Sequence, residues 1–105
     1  MRRLAITFFA LALASPALAT SGPGCLVVVN VSHGDALNVR ARASAASAIV
    51  DRLVPNQHGI IHLDSACQPL DIPWASRWCP ITHYNGDSTI HGYVKARFVR
   101  DGDCP

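Results

Sequence analysis

Five histidines stand among the 105 residues: His33, His58, His62, His83 and His91. Imidazole can ligate Zn2+ or Cu2+, and it can change charge near neutral pH. His58 and His62 are an even number of residues apart, so a regular strand would put both on one face. His83 and His91 flank Asn85-Gly86 and would be neighbours across a hairpin. No His-x-His spacing and no carboxylate partner completes a ligand set. The histidines are therefore read as exposed polar strand positions, with no metal and no cofactor. A metal-binding protein using His58 and His62 stands as an alternative.

Chemistry beyond histidine is sparse. The chain has no glutamate, and its seven aspartates are scattered. It holds no glycine-rich phosphate loop and no G-x-S-x-G elbow. Catalysis needs converging groups with matched protonation states, so no catalytic residue is assigned and no enzymatic activity is expected. The large amphipathic side chains are Trp74, Trp78, Tyr84 and Tyr93. Aromatics with a polar tip suit peptide and glycan recognition, and these four form the expected ligand-binding set. Trp78 and Tyr93 would alternatively pack a core. Trp74 lies in a loop between Pro73 and Ala75.

Four cysteines remain: Cys25, Cys67, Cys79 and Cys104. Their compartment follows from the first nineteen residues. Met1-Arg2-Arg3 is a positive start, residues 4–14 are almost unbroken apolar, and Ala17-Leu18-Ala19 offers small residues for cleavage. That layout is a secretory signal peptide. Eleven apolar residues span only about 16 Å as a helix, roughly half a bilayer core, so no stable membrane insertion is expected after cleavage. The remainder is read as periplasmic or secreted. An even cysteine count in an oxidising compartment implies two disulfides. Four cysteines allow three pairings. The favoured one is Cys67 with Cys79, closing a Pro- and Trp-containing segment, and Cys25 with Cys104, tying the ends together. No C-x-x-C pair supports a zinc site.

The signal also carries 14 of the 52 hydrophobic residues and two of the nine basic ones. The 86 residues after it have seven basic and seven acidic side chains. A net charge of zero supplies no electrostatic footprint for nucleic acid, and none is expected as a partner.

The elements that must position these groups are short strands. Residues 26–31 are β-branched and run into Ser32-His33-Gly34-Asp35. Leu37-Asn38-Val39-Arg40 alternates apolar and polar, with Leu37 and Val39 facing inward. Residues 41–47 are small and polar and read as an exposed loop. Residues 48–53 and 59–63 read as strands, and 64–76 as an irregular loop. Residues 77–84 and 89–95 form a hairpin about Asn85-Gly86. Ala96-Arg97-Phe98 reads as one 3₁₀ turn before a last strand near Val99-Arg100. No helix of length is expected. The layout is one domain over 26–105, after a signal at 1–19 and a tether at 20–25. The fold class is all-β: a small antiparallel barrel of five to six short strands with a disulfide-pinned loop.

Three segments resemble the bacterial SH3-like (SH3b) domain. They are Leu37-Asn38-Val39-Arg40, then residues 48–53, then Trp78 with Tyr84-Asn85-Gly86 and the closing Gly92-Tyr93-Val94-Lys95-Ala96-Arg97-Phe98-Val99. The resemblance covers about residues 26–100. It implies an SH3-like barrel, with Gly92 at a crowded corner and Phe98 plugging one end. It further implies a non-catalytic binding module for peptide, peptidoglycan or an envelope protein. The segment 64–77 is longer than in minimal members of that family. A protein-interaction or inhibitor module acting through residues 67–79 is accordingly a second expectation.

Overall fold

The computed structural model describes residues 24–104. The expected signal at 1–19, most of the expected tether and Pro105 lie outside the described residues. The chain folds into seven strands and two 3₁₀ turns. The strands are β1 (Gly24–Val28), β2 (Leu37–Arg40), β3 (Ile49–Leu53), β4 (Ile60–Leu63), β5 (Trp78–Asn85), β6 (Ser88–Lys95) and β7 (Val99–Gly102). The turns are Trp74–Ser76 and Ala96–Phe98. All strand pairs are antiparallel, in the order β3-β2-β6-β5-β4-β1-β7.

Two expectations change. The strands number seven rather than five to six, and the sheet is not closed, because β3 and β7 remain its two edges. The reason lies where β2 meets β6. Those strands share a single register pair, Arg40 with Tyr93. There Val39, Arg40 and Val50 of the β2–β3 hairpin stand close to Gly92 of β6, and neither strand of that hairpin pairs with β7. The first strand also shifts. It begins at Gly24, because Gly24 pairs with Leu63 and Cys25 with both His62 and Gly102. It ends at Val28, and Asn30 then takes a left-handed φ of 59°, which a short polar side chain tolerates best.

Period-two burial builds the core. Along β2 the apolar Leu37 and Val39 are buried, while Asn38 and Arg40 are half-exposed. Leu53, Ile61, Leu63, Ile81 and Val94 join them from the neighbouring strands, with Leu26 and Val99 beneath. The β5–β6 hairpin pairs without a break from Trp78–Lys95 to Asn85–Ser88. Its two-residue loop is Gly86-Asp87, and Gly86 supplies the positive φ of 65°. Both favoured disulfides form, Cys25–Cys104 and Cys67–Cys79. Among the described residues no helix is long and apolar enough to cross a membrane.

Gly92 marks the crossing. A Cβ there would stand 2.5 Å from Val39 Cγ1 and 2.8 Å from the Arg40 carbonyl oxygen. The expected crowded corner is therefore real, and backbone is one of the obstructing partners. Gly92→Ala is expected to cost about 2–3 kcal/mol, the upper part of the range for overpacking. Urea unfolding monitored by circular dichroism would measure it, and an unchanged midpoint would contradict the crossing geometry.

Candidate functional site

Among the described residues, a groove of about 470 Å³ lies beside the β2–β6 crossing. That volume falls within the usual range for small-ligand sites, about 300–1,000 Å³. Three stretches of chain build it: residues 30–32, residues 35–38 with Arg40, and Lys95 with Arg97 and Phe98; Ala45 and Trp78 complete the lining.

Each stretch is held by local bonds. Val29 donates its backbone N–H to the Phe98 carbonyl, and Asn30 Nδ2 donates to the Arg97 carbonyl, both at 2.8 Å. These bonds dock the 29–32 segment onto the turn Ala96–Phe98. Asp35 N–H donates to the Ser32 carbonyl at 2.9 Å, with Gly34 at φ 87° inside that turn. The 41–48 loop folds around the buried Ser47 side chain. Ser47 Oγ lies 2.7 Å from the Ser44 carbonyl and 3.1 Å from that of Arg42, and accepts the Arg42 N–H. The Ser47 carbonyl accepts from Arg40 Nη1 at 3.2 Å, which fixes that guanidinium on the groove wall.

The groove joins an apolar base to a cationic rim. Val31, Leu37, Trp78 and Phe98 give the base; Val31 and Phe98 also pack against the core cluster. Trp78 and Lys95 are register partners across β5 and β6, so their side chains share a face. Lys95 Nζ sits 4.6 Å from the Trp78 ring centroid, a cation–π contact. Arg97 Nε donates to the Ala75 carbonyl at 3.3 Å. Arg40, Lys95 and Arg97 face one acidic lining residue, Asp35. None of the three has a carboxylate within 4.0 Å among the described residues. The groove is thus a local excess of positive charge on a domain of zero formal charge.

Of the four expected ligand-binding aromatics, only Trp78 lines this groove. Trp74 begins the turn Trp74–Ser76 and packs, partly buried, against the core. Tyr93 stands on β6 opposite Arg40 and Pro80. Tyr84 is exposed at the far end of β5, beside Ile60. By register, Trp78, Tyr84 and Tyr93 lie along one face of the β5–β6 hairpin, while Trp74 sits in the turn before β5. The groove's cations and Phe98 carry no sequence signal as a group, since each looks like an ordinary hairpin or turn residue. The one hint was Lys95 and Arg97 alternating beside Phe98.

The histidines occupy separate places. His83 is buried on β5, not exposed as the sequence reading has it. Its Nδ1 lies 2.6 Å from Asp51 Oδ2, and its Nε2 donates to the His58 carbonyl. It ties edge strand β3 to the interior and to the approach to β4. His91 does not pair with His83; its register partner is Thr82, whose Oγ1 lies 3.0 Å from His91 Nδ1. His62 Nδ1 lies 3.1 Å from Asp64 Oδ1, while His58 Nδ1 faces the Gly59 carbonyl. Among the described residues no three His, Cys, Asp or Glu side chains converge on a point a metal ion would occupy. No protein-family model, curated protein or solved structure matches the chain.

Proposed function

We propose that the chain is an exported, non-catalytic binding module of SH3-like architecture whose groove takes peptide or peptidoglycan-like ligands of the cell envelope. The observation that carries the proposal is the groove itself, lined by Trp78 and Phe98 together with Arg40, Lys95 and Arg97. An apolar concavity with a few placed polar groups is the usual form of a binding site. The SH3-like reading rests on the Leu37-Asn38-Val39-Arg40 strand and on the closing hairpin through Gly92 to Phe98. The two disulfides are consistent with an oxidising, extracytoplasmic environment.

Retention on purified sacculi tests the proposal. The oxidised protein is expected to be retained at low salt, and a Lys95→Glu/Arg97→Glu variant of unchanged circular dichroism is expected to pass through. Failure of the wild type to be retained would overturn the cell-wall reading.

A second reading has its own observation. Leu70 is 60 % exposed on the 67–79 segment, and that segment is tied down firmly. Gln68 and Trp78 exchange two backbone bonds of 2.8 Å, and Arg77 donates to the Ile72 and Leu70 carbonyls. A preorganised loop with an apolar tip suits docking onto another protein. Crosslinking in periplasmic extract distinguishes the two. One dominant protein partner, lost in Leu70→Asp but kept in the Lys95→Glu/Arg97→Glu variant, would favour the loop.

A further inference from the structure

We infer that the group the groove recognises is a carboxylate carried beside an apolar side chain, as at the free C-terminus of a short peptide. This rests on the groove being the binding site, and it goes further by naming the chemistry of the ligand.

Charge is the first argument. Residues 20–105 balance seven basic against seven acidic side chains, yet three cations and one aspartate line this single cavity. Arg40, Lys95 and Arg97 are left without a carboxylate partner among the described residues. Lys95 Nζ contacts the Trp78 ring and has no acceptor of its own among them. Arg40 and Arg97 each spend one N–H on a backbone carbonyl. A guanidinium carries five, so each keeps donors to offer.

Preorganisation is the second. The Ser47 carbonyl, the Ala75 carbonyl and the Trp78 ring restrain the three cationic side chains before any ligand arrives. A restrained donor loses less rotamer freedom on binding. Phe98, Leu37 and Val31 line the same cavity, and apolar neighbours strengthen an ion pair formed beside them. Two charge-assisted donors on one carboxylate are the strong kind of hydrogen bond.

Shape decides between a compact anion and a chain of anions. A polyanion needs a stripe of cations that tracks its backbone. Here the cations share one cavity, Asp35 stands on its wall, and Asn30 and Asn38 offer neutral amides nearby. One negative charge, an apolar neighbour and peptide groups satisfy that set.

The test is a calorimetric titration of the oxidised protein with N-acetyl-Ala-Ala-Leu and with the same tripeptide as its C-terminal amide. The acid is expected to bind at least about tenfold more tightly than the amide, the usual strength of one charge-assisted contact. Added salt is expected to weaken the acid alone. Lys95→Gln and Arg97→Gln are each expected to shrink the preference for the acid over the amide. Equal binding of acid and amide by a protein that sacculi still retain overturns this inference alone. Binding of neither peptide, with sacculi retention intact, also overturns it alone. Failure on both peptides and sacculi removes the binding reading with it. Tighter binding of tripolyphosphate or of a single-stranded oligonucleotide than of the acid peptide overturns the carboxylate assignment.

Discussion

Replacing Cys67 and Cys79 together by serine is expected to cost about 3 kcal/mol or more and to abolish ligand capture at the same time. The loop-entropy term for a link across 12 positions is about 3 kcal/mol, and for the 79 positions between Cys25 and Cys104 about 4.5 kcal/mol. A domain of this size holds a total margin of about 5–10 kcal/mol, so losing both bridges leaves little or nothing. The two bridges differ in what else they hold. Cys67 and Cys79 lie in the core cluster, at 2 % and 0 % exposure, so serine there also puts hydroxyls among Leu63, Ile81 and Val94. Next to Cys79 stands Trp78, paired with Gln68, and from the same loop the Ala75 carbonyl holds Arg97. Opening that loop releases the groove's aromatic base and one of its cations. The Cys25–Cys104 bridge joins β1 to the end of the chain beyond β7, away from the groove. The Cys25→Ser/Cys104→Ser variant is therefore expected to melt earlier yet bind normally at low temperature. Thermal melts and sacculi retention on both variants separate the effects. Equal loss of binding in both would show that the groove depends on global stability alone.

Much of this fold was legible because its signals are local. Alternation in Leu37-Asn38-Val39-Arg40, the Asn85-Gly86 turn and the small 3₁₀ turn at Ala96–Phe98 each depend on neighbours in sequence. The expectation of an oxidising compartment, with small size and four cysteines, led to two bridges for reasons of compartment and entropy. The limits of β1 were not legible. Val27, Val28, Val29 and Val31 read as one β-branched stretch across Asn30, and only pairing with β4 and β7 decides where the strand ends. The open sheet was not legible for a similar reason: the sequence marks Gly92 as a crowded position but not which strands crowd it. The groove was least legible of all. Its cations come from β2, the end of β6 and the turn after it, and each is unremarkable until the fold brings them together. His83 shows the reverse case: a polar strand residue that reads as exposed is buried because Asp51 and the His58 carbonyl meet both ring nitrogens.

Exchanging each tryptophan for alanine is expected to give opposite losses. Trp74 follows Pro73 in the pinned loop and presses, partly buried, on the core. Its removal leaves a void that the bridged loop cannot close, because Arg77 and the Gln68–Trp78 pairing keep the loop in place. Burial of a tryptophan is worth about 3–5 kcal/mol on truncation when complete. The half-burial here argues for about 2–3 kcal/mol. Trp74 does not line the groove, so affinity in the folded fraction should stay within about twofold, well under the tenfold that 1.4 kcal/mol would produce. Trp78 behaves the other way. Its ring supports Lys95 and floors the groove, while its backbone alone makes the bonds to Gln68, and alanine keeps those. Trp78→Ala should lower stability by less than Trp74→Ala and weaken binding at least about tenfold, as removal of an aromatic anchor in a binding pocket does. Urea midpoints and titrations on the two variants give four numbers. Were Trp74→Ala to lose the ligand and Trp78→Ala to keep it, recognition would belong to the loop face, and the groove would be a feature of packing only.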